Sequence, residues 1–530
     1  MRKIFTLLIL CFLFNSYSQS PLLWSEDYPV GLTSHTPVPN SLNPHIISEK
    51  EDSFKVIGRK NISSGQRLSI VEYDLDGNVV SEQDFGGDLV FNNTIIDYKF
   101  DDSNHIYIVN HERININKSN IVFQKYSLDG NLIWAEQLQD SGLHSYEPLF
   151  LSVSENGTIF LSAQKYIFDF DVFYDFSNRL YAYDSDGNQL WERTFDQYTE
   201  LDIIFADYVY NNEIYLFGMD SSTFQVFKIV KVDVDNNMVL NVFTDLQNGI
   251  NQVHLTEDNN LLITAVAKYR ISKIDLNGNL LWSEYFQENP PINPYLQETR
   301  SSIQDENGNI YVTGRYWQKD DGTTNNDILT LKFDSSGNLL WQNLYQYGGN
   351  NADIGNAIFL KNGNIYVGGQ SQRLGITTDY DYVLLKIDAE TGVSNGLYRY
   401  NGIAEGTDVI KSLYVFDDDK VALTGLSYNG NNYDWTTQLL SDVPLSVENI
   451  SEENNIKIYP NPIEEDKLLH ISGKKMKDYS IFSLTGQVLK EGEFDSEEVH
   501  IITVENLPQG VYLIQLNTDI GTETRKIIIR

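Results

Sequence analysis

Cysteine is almost missing from these 530 residues: there is one, Cys11. It sits in an apolar run at the N-terminus, so the chain beyond it has no disulfides and no thiolate metal sites. Stability there has to come from packing. Basic residues are also few, 38 Lys and Arg against 74 Asp and Glu, which leaves a formal net charge of −36. A chain so charged repels nucleic acid and anionic lipid headgroups, which makes both poor partners, and no nucleic acid is expected. The charge suits solubility outside the cell, and divalent cations as a second reading. Histidine is sparse, eight residues, and none falls in a His-Glu-x-x-His pattern or another tight ligand spacing. There is no Gly-x-Ser-x-Gly elbow and no phosphate loop. No stretch after the N-terminus is long and apolar enough for a membrane span, and no long stretch has helical periodicity.

What is present starts with a targeting segment at residues 1–18. Arg2 and Lys3 form a basic start, Ile4 to Phe14 an apolar stretch, and Ser16-Tyr17-Ser18 a cleavage site, with Gln19 the expected mature end. Cys11 follows Leu-Ile-Leu rather than a small-residue lipobox, which argues against a lipid anchor.

The rest is rich in Tyr (33) and Phe (26), with Gly, Asn and Asp where turns belong, a balance that favours pleated sheet. Phe333-Asp-Ser-Ser-Gly-Asn-Leu-Leu-Trp341 reads as a strand end, a tight turn and a new strand. Copies lie at Tyr126 to Trp134, Tyr183 to Trp191 and Ile274 to Trp282. Tyr73 to Val80 lacks the Trp, and Val232 to Val239 has Asn236 for the glycine. The turns step by about 40 to 60 residues, the period of a propeller blade. A second motif precedes each turn, clearest in Asn307-Gly-Asn-Ile-Tyr-Val-Thr-Gly314 and Asn362-Gly-Asn-Ile-Tyr-Val-Gly-Gly369. An Asn-Gly turn ahead of alternating apolar residues signals a hairpin.

Each unit therefore reads as four antiparallel strands, and about eight units fit between His45 and Leu440. The last has only three strands. Leu22-Leu-Trp-Ser-Glu-Asp-Tyr28 matches Leu280-Leu-Trp-Ser-Glu-Tyr-Phe286, so the N-terminal strand is predicted to complete the last blade and close the ring. The expected fold is all-β: an eight-bladed β-propeller over 19–442, a polar linker over 443–455 and a small β-sandwich over 456–530. The repeats resemble bacterial β-propeller families, including those with a Tyr-Val-Thr-Gly signature. Ile387 to Gly392 resembles the turn of quinoprotein-type eight-bladed propellers, but no cofactor site of that group can be matched residue by residue.

The C-terminal segment closely resembles the type A sorting domain of the type IX secretion system. The matching residues are Tyr459, Pro460, Asn461, Pro462, Gly486, Leu507, Pro508, Gly510, Val511, Tyr512 and the end Lys526-Ile-Ile-Ile-Arg530. The resemblance implies passage through the periplasm, then across the outer membrane to the cell surface or the medium, with the type IX machinery as partner. A free, strand-forming basic tail is the expected mode of reading, by strand addition.

Chemistry is harder to find. Asp74 to Asn78 and Asp184 to Asn188 look like the start of a calcium loop, the one cofactor reading the sequence offers. An EF-hand needs a bidentate Glu where this chain has Phe85 and Phe195, so Asx-turn chemistry is the better account. The recurring tryptophans are expected to pack between blades. Acidic pairs are so common that a glycosidase pair can be neither chosen nor excluded. Long, irregular connections are expected between second and third strands, at 110–120, 163–178, 315–326 and 370–380. Variable loops on a rigid scaffold are where binding resides, and Phe173, Tyr174, Tyr316 and Trp317 are the candidate ligand contacts. The leading functional reading is a non-enzymatic, adhesin-like module for a glycan or surface protein. The rival is a propeller hydrolase or lyase acting on polysaccharide.

Overall fold

The computed structural model describes residues 22–441 and 457–530, except 33–42, 50–51, 63–64, 87–92, 116, 140–143, 170–171, 196–202, 220–226, 237, 244–249, 266–268, 287–296, 321–322, 348–351, 373–378, 403, 405, 460–462, 464–466, 473–475, 484–487, 495–498 and 519–520. The targeting segment and the predicted linker thus lie outside the described residues. The chain divides into two units, Met1–Leu445 and Ser446–Arg530.

The first unit holds eight four-stranded antiparallel sheets among the described residues, here called blades 1 to 8. They span 45–85, 93–138, 144–195, 203–243, 250–285, 298–345, 353–400 and 408–440, the last completed by Leu22–Leu32. That N-terminal strand pairs antiparallel with Tyr433–Leu440, Leu22 opposite Leu440 and Tyr28 opposite Trp435, which is the predicted closure. Eight hydrophobic clusters lie between the sheets, each joining one blade to the next. The cluster around Val56, Tyr73, Leu426 and Trp435 joins blade 8 to blade 1. The ring is therefore continuous, with its core distributed between the sheets.

The tryptophan repeat explains how neighbouring blades hold their register. On the fourth strand of one blade the indole Nε1 donates to a carbonyl in the turn between strands 3 and 4 of the next. Trp24 reaches Leu75 at 3.0 Å, Trp134 reaches Ser185 at 3.1 Å, Trp191 reaches Val234 at 2.6 Å, Trp282 reaches Ser335 at 3.2 Å and Trp341 reaches Ala389 at 3.1 Å. The ring lies flat on the turn glycine. A Cβ on Gly337 would sit 2.9 Å from Trp282 Cδ2, and φ there is +90°. The glycine is thus needed twice, for a left-handed backbone and for the close approach.

Three stations lack tryptophan, and each has a different neighbour. Blade 1 offers Gln83, whose amide occupies the space over Gly130. Blade 7 has Gly396 opposite Lys386, and the blade it faces has no turn there, because its last two strands come from opposite ends of the chain. Blade 4 has Val239 opposite Lys231, and a cavity of about 350 Å³ opens there, lined by Tyr215, Lys231 and the blade 5 turn Asp275 to Asn279.

The second unit has a three-stranded sheet (Lys457–Tyr459, Leu468–Ser472, Val499–Thr503) and a four-stranded one (Met476–Ser483, Val488–Glu493, Gly510–Thr518, Gly521–Ile529). One cluster, including Leu469, Ile471, Ile481, Ile514, Ile527 and Ile529, draws on both. The C-terminal segment is not the free tail expected from sequence. It is a strand paired along Gly510–Thr518, and Ile463 N–H bonds to Ile528 O at 2.7 Å. Its apolar residues, Ile527 and Ile529, are buried, so detaching it would expose them.

Candidate functional site

The first strands of consecutive blades pack against one another around the axis of the ring, while large exposed apolar residues such as Leu281 and Leu340 lie on the fourth strands at the rim. The inner wall is therefore built from His45–Glu49, Asn93–Phe100, His144–Val153, Ile203–Tyr210, Ile250–Leu255, Glu298–Gln304, Asp353–Lys361 and Asp408–Val415. Each of these strands slips register by one residue at a corresponding place. A bulge adds a residue that its partner strand does not match and re-aims the side chain. The added residues are Ile47, Ile96, Leu149 and Phe205 on blades 1 to 4, and Asn251, Arg300, Asn356 and Lys411 on blades 5 to 8. They form a belt near the chain-entry end of the strands, on the side reached by the hairpins between second and third strands.

The belt has two unlike halves. Ile47, Ile96 and Leu149 pack against the clusters between blades 1 and 2, 2 and 3, and 3 and 4. On the other half, Asn251 Nδ2 donates to Thr299 O at 2.5 Å and Asn356 Nδ2 to Ile410 O at 3.1 Å. Arg300 donates through one amine to Asn356 Oδ1 at 2.6 Å and, through Nε, to Glu298 Oε1 at 2.5 Å. Glu298 also lies 3.7 Å from Arg315 Nε. Lys411 has no acidic partner among the described residues. Burial and, second, the nearby Arg300 guanidinium push its pKa down to about 8.

Further along the same strands the wall carries a different cluster. Lys99 Nζ stands 3.4 Å from Asp97 Oδ2, and Asp207 accepts from Ser152 Oγ. Burial works against the Lys99 ammonium, but Asp97 and Asp207 outweigh it and hold its pKa above the ordinary value. Burial raises Asp207 to about 6, with Lys99 and Ser152 offsetting part of the effect. His254 is held neutral, its pKa lowered to about 4 by burial, and its Nδ1 lies 3.4 Å from Ser302 Oγ.

The residues singled out from sequence fall elsewhere. The connections at 110–120, 163–178 and 315–326 are not irregular loops. Their strands run on as hairpins, with Tyr316 opposite Asp327 and Asp320 opposite Thr323 in blade 6. Alternating side chains let the ladder continue where composition alone suggested a loop. Tyr316 is buried edge-on against Tyr269 and Phe286, and Trp317 is buried with its carbonyl accepting from Gln297 at 3.1 Å. Tyr316 joins the cluster between blades 5 and 6, and Trp317, the next residue of the strand, points to the opposite face. Phe173 and Tyr174 pair with Phe168 and Ile167, and their side chains lie outside the described residues.

In the acidic turns Asp74 Oδ1 accepts from the N–H groups of Asp76 and Asn78, and Oδ2 from the Asn78 amide at 2.8 Å. Asp184, Asp275, Asp305 and Asp334 repeat the pattern. Their oxygens thus serve the turn. Among the described residues no three His, Asp or Glu converge as metal ligands.

Of the sorting residues, Tyr459 pairs with His470 and Gly510 with Ile529. Tyr512 is buried with its hydroxyl donating to Pro508 O at 2.7 Å, and Arg530 is exposed. Pro460, Asn461 and Pro462 lie outside the described residues, as does the Lys526 side chain.

The belt residues escaped the sequence reading because no motif marks them. A signal was available. It is partial: Leu149, Phe205 and Arg300 stand at one offset before Asn156, Asn212 and Asn307, whereas Asn356 and Asn251 fall one residue to either side of that offset before Asn362 and Asn259.

Residues 457–530 match the family described as secretion system C-terminal sorting domain. This match points to export through the type IX secretion system, to the cell surface or beyond, with the type IX machinery as the partner of that segment. Among curated proteins, none matches the chain. Similar solved structures include a streptogramin B lyase (13% identity, TM-score 0.36, 65% of this chain and 94% of that one). A virginiamycin B lyase from Staphylococcus aureus with quinupristin is similar at 13% identity and TM-score 0.37, over 65% and 94%. The WD40 domain of SCAP from fission yeast is similar at 11% identity and TM-score 0.40, over 79% and 98%.

Proposed function

We propose that this protein is an exported binding module: a propeller delivered through the periplasm and the outer membrane by its C-terminal domain, which takes a ligand at the axial end where the bulges lie. The observation that carries the reading is the divided belt. Ile47, Ile96 and Leu149 make one half of the belt apolar, and Asn251, Arg300, Asn356 and Lys411 make the other polar, on a frame tied by eight interblade clusters, and such a wall can orient one ligand without moving. The boundaries 19–442 and 456–530 belong to the same proposal, as does a surface glycan or surface protein as the source of the ligand.

The rival reading, a hydrolase or lyase on polysaccharide, is favoured by one group. Asp207, raised to about 6, has the pKa of a usable general acid. Its oxygen is engaged by Ser152, however, and Lys99 stands near it.

Binding of the purified protein to an array of glycans and surface proteins tests the first reading, and Arg300→Ala should lose the hit. Product release from the same glycans, abolished by Asp207→Asn, would favour the second. For export, removing Ser446–Arg530 in a host with the type IX system should leave the propeller in the periplasm. Its appearance in the medium would refute the role given to the domain.

A further inference from the structure

We infer that the bulge belt holds the acidic group of its ligand, a small molecule carrying a carboxylate or sulfate, with Lys411 as the cation that meets it and Arg300 and Asn356 framing the seat. The inference rests on the binding reading above and names the class of ligand.

The reasoning starts from what an interior cation costs. A desolvated ammonium is tolerated when a carboxylate or a set of acceptors repays it. This chain has nearly two acids for every base, and most interior lysines have found one. Lys99 lies beside Asp97, Lys273 bonds Asp258 at 2.7 Å, and Lys332 reaches both Ala389 O and Glu390. Among the described residues, Lys411 is the exception on the inner wall. Its described neighbours supply a second cation rather than an anion, and that neighbour's own acid, Glu298, is already shared between Arg300 and Arg315.

The placement is not an accident of one strand. Asn251, Arg300, Asn356 and Lys411 occupy equivalent bulges on four consecutive blades. The two amides are spent on neighbouring carbonyls and Arg300 on Glu298 and Asn356, which holds the frame and leaves Lys411 as the belt cation with no acidic partner among the described residues. An oxyanion arriving there would supply the missing partner and lift the depressed Lys411 back towards its ordinary range.

The net charge of −36 narrows the class further. A polyanion would be repelled by the rest of the surface before reaching the belt, whereas a compact ligand with one or two charges would not. Lysine is a point charge without a fixed fork, so carboxylate and sulfate are both accepted chemically. The probes below separate them.

The test uses the full mature chain with its lysines ¹³C-methylated, the Lys411 signal being the one lost in Lys411→Arg. Glucuronate, citrate and inorganic sulfate are titrated separately, with glucose as the neutral control. The expected result is a saturable shift of the Lys411 signal with at least one anion, a rise of its pKa from about 8 on saturation, and no response to glucose. Saturation by glucuronate or citrate alone identifies a carboxylate, and by sulfate alone a sulfate ester.

Lys411→Met should abolish the binding while keeping the far-ultraviolet spectrum, and it should unfold at the same or a higher temperature, since an unpaired charge is removed. No saturable shift with any probe would overturn the inference. So would an array ligand whose affinity Lys411→Met leaves unchanged, and in that case binding itself stands. A loss of about tenfold or more on that ligand supports both.

Discussion

The tryptophan that rests on a neighbour's turn can be tested as a pair across blades. Gly337 has φ of +90°, and its missing Cβ would sit 2.9 Å from the Trp282 ring. Gly337→Ala therefore carries two penalties. The left-handed backbone costs about 1–2 kcal/mol. Pushing the indole away also lengthens its 3.2 Å bond to Ser335 O, which is worth about 1 kcal/mol. The sum is about 2–3 kcal/mol. Trp282→Ala removes a half-buried ring and that same bond, for about 2–3 kcal/mol, below the range for a fully buried aromatic.

In the double variant the alanine methyl enters vacated space and the bond is lost only once. The combined cost should then fall short of the sum by about 1 kcal/mol, as for residues in contact. Urea unfolding followed by circular dichroism measures all three. Leu281→Ala, at 50% exposure beside Trp282, is the control and should change stability by less than about 0.5 kcal/mol. Strict additivity of the pair, to within about 0.3 kcal/mol, would refute the idea that the ring and the glycine are one contact.

Val239→Trp should fill the cavity over the blade 5 turn Asp275 to Asn279, raising stability by about 1–2 kcal/mol in the same assay; a fall would show that the space is not shaped for the ring. Deleting Leu22–Leu32 strips the outer strand from Tyr433–Leu440 and should shift the protein towards aggregates in size-exclusion chromatography, through an open sheet edge. His254 has a folded pKa of about 4 against 6.5 for the free side chain. Its contribution is intact above pH 6.5 and declines as pH drops towards 4, because only the unfolded chain takes the proton in that window. His254→Gln should flatten stability between those pH values, and an unchanged slope would remove His254 from the account.

The ring was readable because its parts announce themselves locally. Asn307-Gly308 and Gly337 mark turns by the backbone they need, and Leu22 to Tyr28 copies Leu280 to Phe286 closely enough to identify a displaced fourth strand. The site was not readable, for the opposite reason. A bulge such as that at Arg300 depends on how two strands meet, and no residue type is required to make one. The burial of Tyr316 and Trp317 was not legible because aromatic side chains look alike in sequence whether they face solvent or pack inside. The C-terminal strand was recognised by type but not by state: Ile527 and Ile529 spell a β segment equally well paired or unpaired, and only the partner strand decides between them.

The seam in blade 8 has a consequence for how the molecule is made. Val30 N–H is held by Asp434, 404 positions away in sequence. No shorter stretch of the polypeptide can substitute for that meeting, so the final blade is assembled only once nearly all the propeller has been synthesised. Contacts this distant form late and slowly. A chain that ends in a secretion sorting domain thus keeps its most non-local join for last, and an incomplete copy is left with a gap that quality control can recognise.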